Sequence, residues 1–176
     1  MTLKFREVIA NALPSEEGVR IRLAGLKAEG WAEVAGRFGA LLPEFDLIAA
    51  LPGAQQLADL LGRTRGVPTL HAARLADTGH WTLLDAADRT AGEPLSGEVV
   101  IVTEHLTDGL AELETMLLCA TRGLKVISVV AAVERTNAAG RIRIELQDVT
   151  VLSAVQLADT PTGLVFERRI PQRIAH

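Results

Sequence analysis

Six residues between positions 103 and 109 carry side chains or backbone suited to holding a small anionic or polyhydroxy ligand. They are Thr103, Glu104, His105, Thr107, Asp108 and Gly109, and they lie in the stretch EVVIVTEHLTDGLAELETM, which begins at Glu98. Before them runs the apolar segment Val99 to Val102, and after them a helical pattern begins at Leu110. A buried strand, a short polar turn and a helix N-terminus form a layout that binds phosphate, because unpaired backbone N–H groups and the positive end of the helix dipole point outward there. Asp108 complicates that chemistry. Two unit charges 4 Å apart repel by roughly 1 kcal/mol in water and by about 4 kcal/mol at an effective dielectric of 20. A phosphate dianion roughly doubles the repulsion. The same carboxylate is well suited to accept hydrogen bonds from first-turn N–H groups, and Glu112 adds a second acid to that turn. The segment therefore has the layout of a phosphate site in which a carboxylate is expected to use the donors.

The remaining chemistry-bearing residues are dispersed. His71, His80, His105 and His176 show no metal-ligand spacing, and His105 is the best placed because it adjoins Glu104. Cys119 falls inside a helical pattern and reads as a small core residue. Asp85, Asp88 and Glu93 read as a solvated loop, Arg135 and Arg141 as surface charges, and ERRIPQRIAH as a basic tail. Walker, dinucleotide-binding and G-x-S-x-G fingerprints are absent from the sequence.

The elements that must position residues 103–111 can be read from apolar spacing. FREVIANAL is expected to form a short helix ending before Pro14, and VRIRL a strand with one wet face. From Glu29 to Leu42 the spacing of Trp31, Val34, Ala35, Phe38, Leu41 and Leu42 predicts an amphipathic helix stopped by Pro43. FDLIAAL reads as a buried strand, PGAQQLADLLGRTRG as a turn and helix closed by Gly66, and VPTLHAARL and HWTLL as further strands. The helix after Gly109 is expected to place Leu110, Leu113, Leu117 and Ala120 on one face, with Arg122 in its last turn and Gly123 as its cap. LKVISVVAAV and VTVLSAVQL complete the strands. Short apolar strands alternating with helices of about a dozen residues predict an α/β protein with a mostly parallel sheet and helices on both faces. Ligands bind such sheets beyond the carboxyl ends of the strands. Those ends fall at Leu51 to Gln55, at Arg74 to Asp77, and at Thr103 to Ala111.

Composition excludes several classes of function. The 176 residues suffice for one domain, with its core at about 45–157, an N-terminal segment over 1–44 and a tail over 158–176. A net charge of −4 provides no general attraction to nucleic acid or anionic lipid. Aromatic residues amount to 3% with no tyrosine, which leaves no platform for base stacking. No apolar run reaches the length of a membrane span, and the N-terminus lacks a signal-peptide core. A single cysteine fits a reducing cytoplasm.

The order of elements, together with VVIVTEHLTDGLAE, resembles the type I phosphoribosyltransferases, and the adenine-type enzymes in particular. In that family an apolar strand enters two acidic residues, two apolar residues and a small-Thr-Gly-Gly-Thr turn. Without a gap, Thr103 and Glu104 lie at the acidic pair, and Thr107, Asp108, Gly109, Leu110 and Ala111 lie at the phosphate turn. FDLIAALPGAQQLADLLGRTRGVP is similar to the family's strand, pyrophosphate loop and helix, and places Pro52 and Gly53 in the loop. GLKVISVVAAVERTNAAGRIRIELQDVTVLSAVQL is similar to its later strands and glycine-arginine segment, and RTNAAGR falls at a base-pocket position.

The resemblance implies transfer of phosphoribose from phosphoribosyl pyrophosphate to a purine base, with magnesium as cofactor. It also implies a homodimer. Glu104 would hold ribose hydroxyls, and Arg74 would stand at a neighbouring ligand-facing strand end. This chain departs from the pattern at four places. Thr103 replaces the first acid, Asp108 the central threonine and Leu110 a glycine, while Gly53 stands at a usually basic position. The stretch between Arg74 and Glu98 is also short for the family's flexible lid. Three readings follow. One is a phosphoribosyltransferase-fold protein with weak or lost catalysis and a nucleotide- or phosphate-type pocket; the second is an active purine enzyme; the third is a structural or interaction protein. The homodimer is further expected from apolar surface on the Glu29 to Leu42 helix and around Leu57 to Leu61.

Overall fold

A computed structural model describes residues 4–77, 79, 81–85 and 96–167. The order of elements is α1 (Lys4–Ala10), α2 (Glu16–Ala24), α3 (Ala28–Leu41), β1 (Leu47–Ala50), α4 (Gln55–Arg65), β2 (Thr69–Arg74), β3 (Trp81–Asp85), β4 (Gly97–Leu106), α5 (Leu110–Thr121), β5 (Leu124–Arg135), α6 (Gly140–Glu145), β6 (Thr150–Thr160) and β7 (Gly163–Phe166). The strands form one seven-stranded sheet in the order β3-β2-β1-β4-β5-β6-β7. Five strands, β2-β1-β4-β5-β6, run parallel, and β3 and β7 close the edges antiparallel. The expected α/β architecture is present, and Val99 to Val102 form its fully buried middle.

Hydrophobic packing divides between the two faces. On one, Phe5 and Ile9 of α1, Val19 and Leu23 of α2, Trp31 and Phe38 of α3, and Leu57 and Leu61 of α4 cover Ile48, Val100, Val102 and Val130. On the other, Cys119 of α5 and Ile144 of α6 lie with Ala49, Leu70, Val99, Ile101 and Val129. The strands are apolar on both sides because both sides are covered.

Three sequence expectations need correction. VRIRL is helical, inside α2. Ser15 caps that helix by accepting the Gly18 N–H at 2.9 Å, and Val19 and Leu23, one turn apart, are its buried residues. Alternation over five residues is also compatible with a helix that buries positions i and i+4, and the cap decides. Second, the packed face of α5 is Glu112, Thr115 and Cys119. Leu110 and Leu117 are 53% and 68% exposed, so the stripe chosen from apolar spacing points outward. Third, the apolar surface assigned to a dimer contact is internal. Trp31, Val34, Ala35, Phe38, Leu57 and Leu61 pack within this chain, where α3 lies on α4.

Among the described residues no helix is long and apolar enough to cross a membrane.

Candidate functional site

The strand order reverses direction between β1 and β4. From β1 the chain moves outward to β2, whereas from β4 it moves the opposite way to β5 and β6. A crevice opens at such a switch point beyond the carboxyl ends of the two strands. Here those ends are Leu51 to Gly53 and Thr103 to Gly109. Pro52 and Gly53 are exposed, and Gly53 adopts φ +89°, a conformation that favours glycine. Its Cα faces β4 so closely that a Cβ there would lie 3.6 Å from Glu104 Oε2. The fold thus brings Gly53 and Glu104, fifty-one positions apart in the chain, close together at the carboxyl ends of β1 and β4.

Strand β4 continues further than the sequence suggests. Thr103 to Leu106 remain in the sheet, because β5 runs alongside and pairs Thr103 with Ala131, His105 with Val133 and Leu106 with Glu134. A long parallel neighbour imposes strand geometry on a polar segment that has little strand preference of its own. The turn is therefore only Thr107 to Gly109.

Each side chain in this segment has a defined environment. Thr103 is buried and hydrogen-bonds the Glu112 carboxyl. Burial pushes the Glu112 pKa up, the Thr103 hydrogen bond and the residue's own backbone N–H oppose that, and nearby Asp108 adds to it. Glu104 is partly exposed, and desolvation raises its pKa too. Among the described residues Glu104 has no hydrogen-bond or ion-pair partner. His105 is held toward its neutral form, first by burial and then by Arg135, with Glu16 opposing and Arg20 reinforcing. Its Nε2 is buried without a partner among the described residues. Cys119 is fully buried, and burial pushes its thiol up to about 11, so it is an inert core group.

The turn is tied down from two directions. Asp108 Oδ1 accepts the Leu110 N–H at 3.1 Å. From the opposite side, Gly140 N–H donates to the Thr107 carbonyl at 3.0 Å, and Arg143 Nη1 donates to the Asp108 carbonyl at 2.9 Å. Gly109 adopts φ +78° at the N-cap of α5 and rests against the backbone of Gly140. A Cβ on Gly140 would lie 2.2 Å from the Thr107 carbonyl oxygen, so only glycine permits this contact. Leu110 is exposed, and Ala111 packs partly against the core.

RTNAAGR also requires correction. Its two arginines are anchored, with side chains only 12% and 18% exposed for Arg135 and Arg141. Arg135 pairs with Asp159 and Glu16. Arg141 Nη2 reaches Glu134 Oε2 at 2.6 Å, its Nε reaches Oε1 at 2.7 Å, and its Nη1 donates to the Val151 carbonyl. Glu134 is 1% exposed. Burial alone would raise its pKa, but hydrogen bonds from Arg141, Gln156 and Ser153 outweigh that and hold it below the usual carboxylate range.

Arg74 stands apart from the Gly53 and Glu104 crevice. It lines a cleft with Gly79, Trp81, Glu114, Leu117, Leu118 and Thr121, and its Nε donates to the Gly79 carbonyl. Of the residues that shape this site, Arg143 is the one the sequence did not single out; Glu112 stood out only as an acid in the first turn of the helix, and Gly140 only as part of RTNAAGR, with its contact to the Thr107 carbonyl unforeseen. His80, Asp88, Glu93, His176, most of the basic tail and most of the lid region lie outside the described residues.

No family model and no curated protein matches this sequence. Solved structures do match it. Adenine phosphoribosyltransferase from Thermoanaerobacter pseudethanolicus superposes with a TM-score of 0.59 at 20% identity, covering 74% of this chain and 82% of that one. Orotate phosphoribosyltransferase from Mycobacterium tuberculosis, solved with 5-phospho-α-D-ribosyl 1-diphosphate, superposes with a TM-score of 0.68 at 16% identity, covering 88% and 87%. The orotate enzyme from Aeropyrum pernix gives 0.61 at 16% identity, covering 77% and 75%. The chain has the type I phosphoribosyltransferase fold. Within that fold, the crevice at the ends of β1 and β4 is the place where the resembled motifs meet.

Among the described residues no group of three His, Cys, Asp or Glu side chains could hold a metal ion. Glu104 is a single carboxylate, and Glu112 is engaged by Thr103. These residues do not form a resident magnesium site, since that ion requires several oxygen ligands in octahedral array.

Proposed function

We propose that this protein is a phosphoribosyltransferase-fold protein, related to the adenine-type enzymes, in which catalysis is weak or lost and a ribose- or nucleotide-type pocket remains at the β1 and β4 crevice. The observation that carries this reading is the hydrogen bond from the Leu110 N–H to Asp108 Oδ1, at the turn where the family resemblance puts a 5′-phosphate. A first-turn donor is already satisfied by the protein's own acid, and the carboxylate adds a negative charge to the turn to which the resemblance assigns the phosphate. Thr103 supports the same reading. It stands in place of an acid, and its hydroxyl is bound to Glu112 rather than directed at a ligand. Glu104 is the ribose-hydroxyl group that remains: unpartnered among the described residues, partly exposed and beside the exposed Gly53. The partners assigned are a purine base, a nucleotide or phosphoribosyl pyrophosphate, together with a second copy of the chain, in the cytoplasm.

The second reading, an active purine phosphoribosyltransferase, draws on that unpartnered Glu104 and on Gly109. Magnesium in that case would arrive with the diphosphate rather than sit in the protein. Calorimetric titration separates the two. Phosphoribosyl pyrophosphate with magnesium, followed by purine bases, should give little or no heat with the wild type and no pyrophosphate release. Tight binding with turnover would establish the active enzyme instead.

A further inference from the structure

Two acids, Glu104 and Asp108, stand at the end of β4 and in the turn that follows it, and an ionised carboxylate only accepts hydrogen bonds. Among the described residues Glu104 accepts none. Asp108 accepts the Leu110 N–H through Oδ1, which leaves Oδ2 without a partner among those residues. The arginines nearby are engaged. Arg135 is held by Glu16 and Asp159, and Arg141 by Glu134. Arg143 reaches the turn from the α6 side and donates to the Asp108 carbonyl. Its single positive charge is matched by the Asp108 carboxylate, so this pair has no surplus to offer a dianion.

A ligand that suits these groups donates hydrogen bonds at both places and carries no negative charge. Hydroxyl groups meet that requirement, since each has one O–H to give. A phosphate dianion fails it twice, because it has no proton to donate and it repels the carboxylate.

We propose that the ligand of the β1 and β4 crevice is a purine nucleoside with a free 5′-hydroxyl rather than a 5′-phosphorylated one. The ribose 2′- and 3′-hydroxyls donate to Glu104, and the 5′-hydroxyl donates to Asp108 Oδ2. Asp108 is then the residue that sets specificity at the 5′ position. This inference rests on the reading of the crevice as a ribose site, and adds which ribosyl compound enters it.

Calorimetry at pH 8, where a phosphate monoester is a dianion, tests it. The probes are adenosine, inosine and guanosine, with the 5′-monophosphate and the 5′-deoxy analogue of each. The wild type should bind at least one nucleoside about tenfold more tightly than its monophosphate. It should bind that nucleoside about fivefold more tightly than the 5′-deoxy analogue, which has no proton to donate. Asp108→Asn keeps an acceptor for the Leu110 N–H and removes the charge. It should raise monophosphate affinity by about 30-fold and so reverse the preference. A wild type that binds a monophosphate as tightly as its nucleoside, or a preference that Asp108→Asn leaves unchanged, would overturn the inference and leave the ribose reading standing. So would a wild type that binds no nucleoside while Asp108→Asn binds a monophosphate. Nucleosides held equally well by Glu104→Ala, or no binding of any probe by the wild type and Asp108→Asn alike, would overturn the ribose reading as well.

Discussion

In the proposed reading Asp108 opposes a phosphate in two ways, by charge and by occupying the Leu110 N–H. Its side chain is exposed, so the water-like limit of about 1 kcal/mol per charge pair applies, or about 2 kcal/mol against a dianion. Asp108→Thr should therefore strengthen binding of ribose 5-phosphate by roughly 30-fold. It should cost about 0.5–1 kcal/mol of stability through the weakened helix start. Leu110→Gly added to it should increase binding further by opening the backbone to the ligand. Calorimetry on the three proteins at one ionic strength checks the order, and tighter binding by the wild type than by Asp108→Thr would refute the assignment. Glu104 offers a second prediction at this scale. Its pKa is raised by desolvation, so the fold disfavours its ionised form and loses stability as pH climbs through that raised value. Glu104→Gln should melt higher than the wild type at pH 7–8, and the two should converge below the ordinary carboxylate range. A Gln variant that melts lower at neutral pH would instead show that the charge is satisfied.

At the scale of elements, α6 determines where the turn after β4 stands. Gly140 leaves room for the Thr107 carbonyl, and Gly140→Ala forces a 2.2 Å contact to relax. A cost of about 1–3 kcal/mol is expected from such overpacking, readable as a lower midpoint in urea, and no change in that midpoint would show that the two segments move apart freely. The same end of α6 is held by Arg141. Arg141→Ala leaves Glu134 buried at 1% exposure with its guanidinium partner gone. Breaking one side of a buried pair typically costs about 3–5 kcal/mol, a fall in melting temperature of roughly 6–20 °C for a chain of this length. The pKa of Glu134 is held low, so its contribution is present above the ordinary carboxylate range and lost as pH falls through the depressed value. The difference between wild type and Arg141→Ala should accordingly shrink in strong acid. Loss of ribose 5-phosphate binding without loss of stability in this variant would move Arg141 from a structural to a ligand-binding role.

Over the whole molecule, stability should be greatest where both faces of the sheet are covered. Val99 to Val102 and Val129 to Val133 are fully buried between the two hydrophobic layers. Their amides should exchange with deuterium at the slowest rates, close to the limit of global unfolding, and those of the edge strands β3 and β7 faster. Equal protection across all seven strands would contradict this order. The sequence by itself determined the architecture. Continuous apolar runs such as VVIV identify strands buried on both sides, and helical spacing between them implies parallel pairing. It also located the turn and its acid, because Thr107, Asp108 and Gly109 are contiguous and turn chemistry is local. Tertiary structure decided what depends on partners distant in the chain. VRIRL is a helix because Ser15 caps it and a core accepts Val19 and Leu23; β4 runs on to Leu106 because β5 lies beside it. The packed face of α5 is Glu112, Thr115 and Cys119 because Thr103 and the Ala111 carbonyl satisfy the polar groups there. Apolar spacing alone favoured the other face, since it records hydrophobicity and not which hydrogen bonds a distant strand can supply.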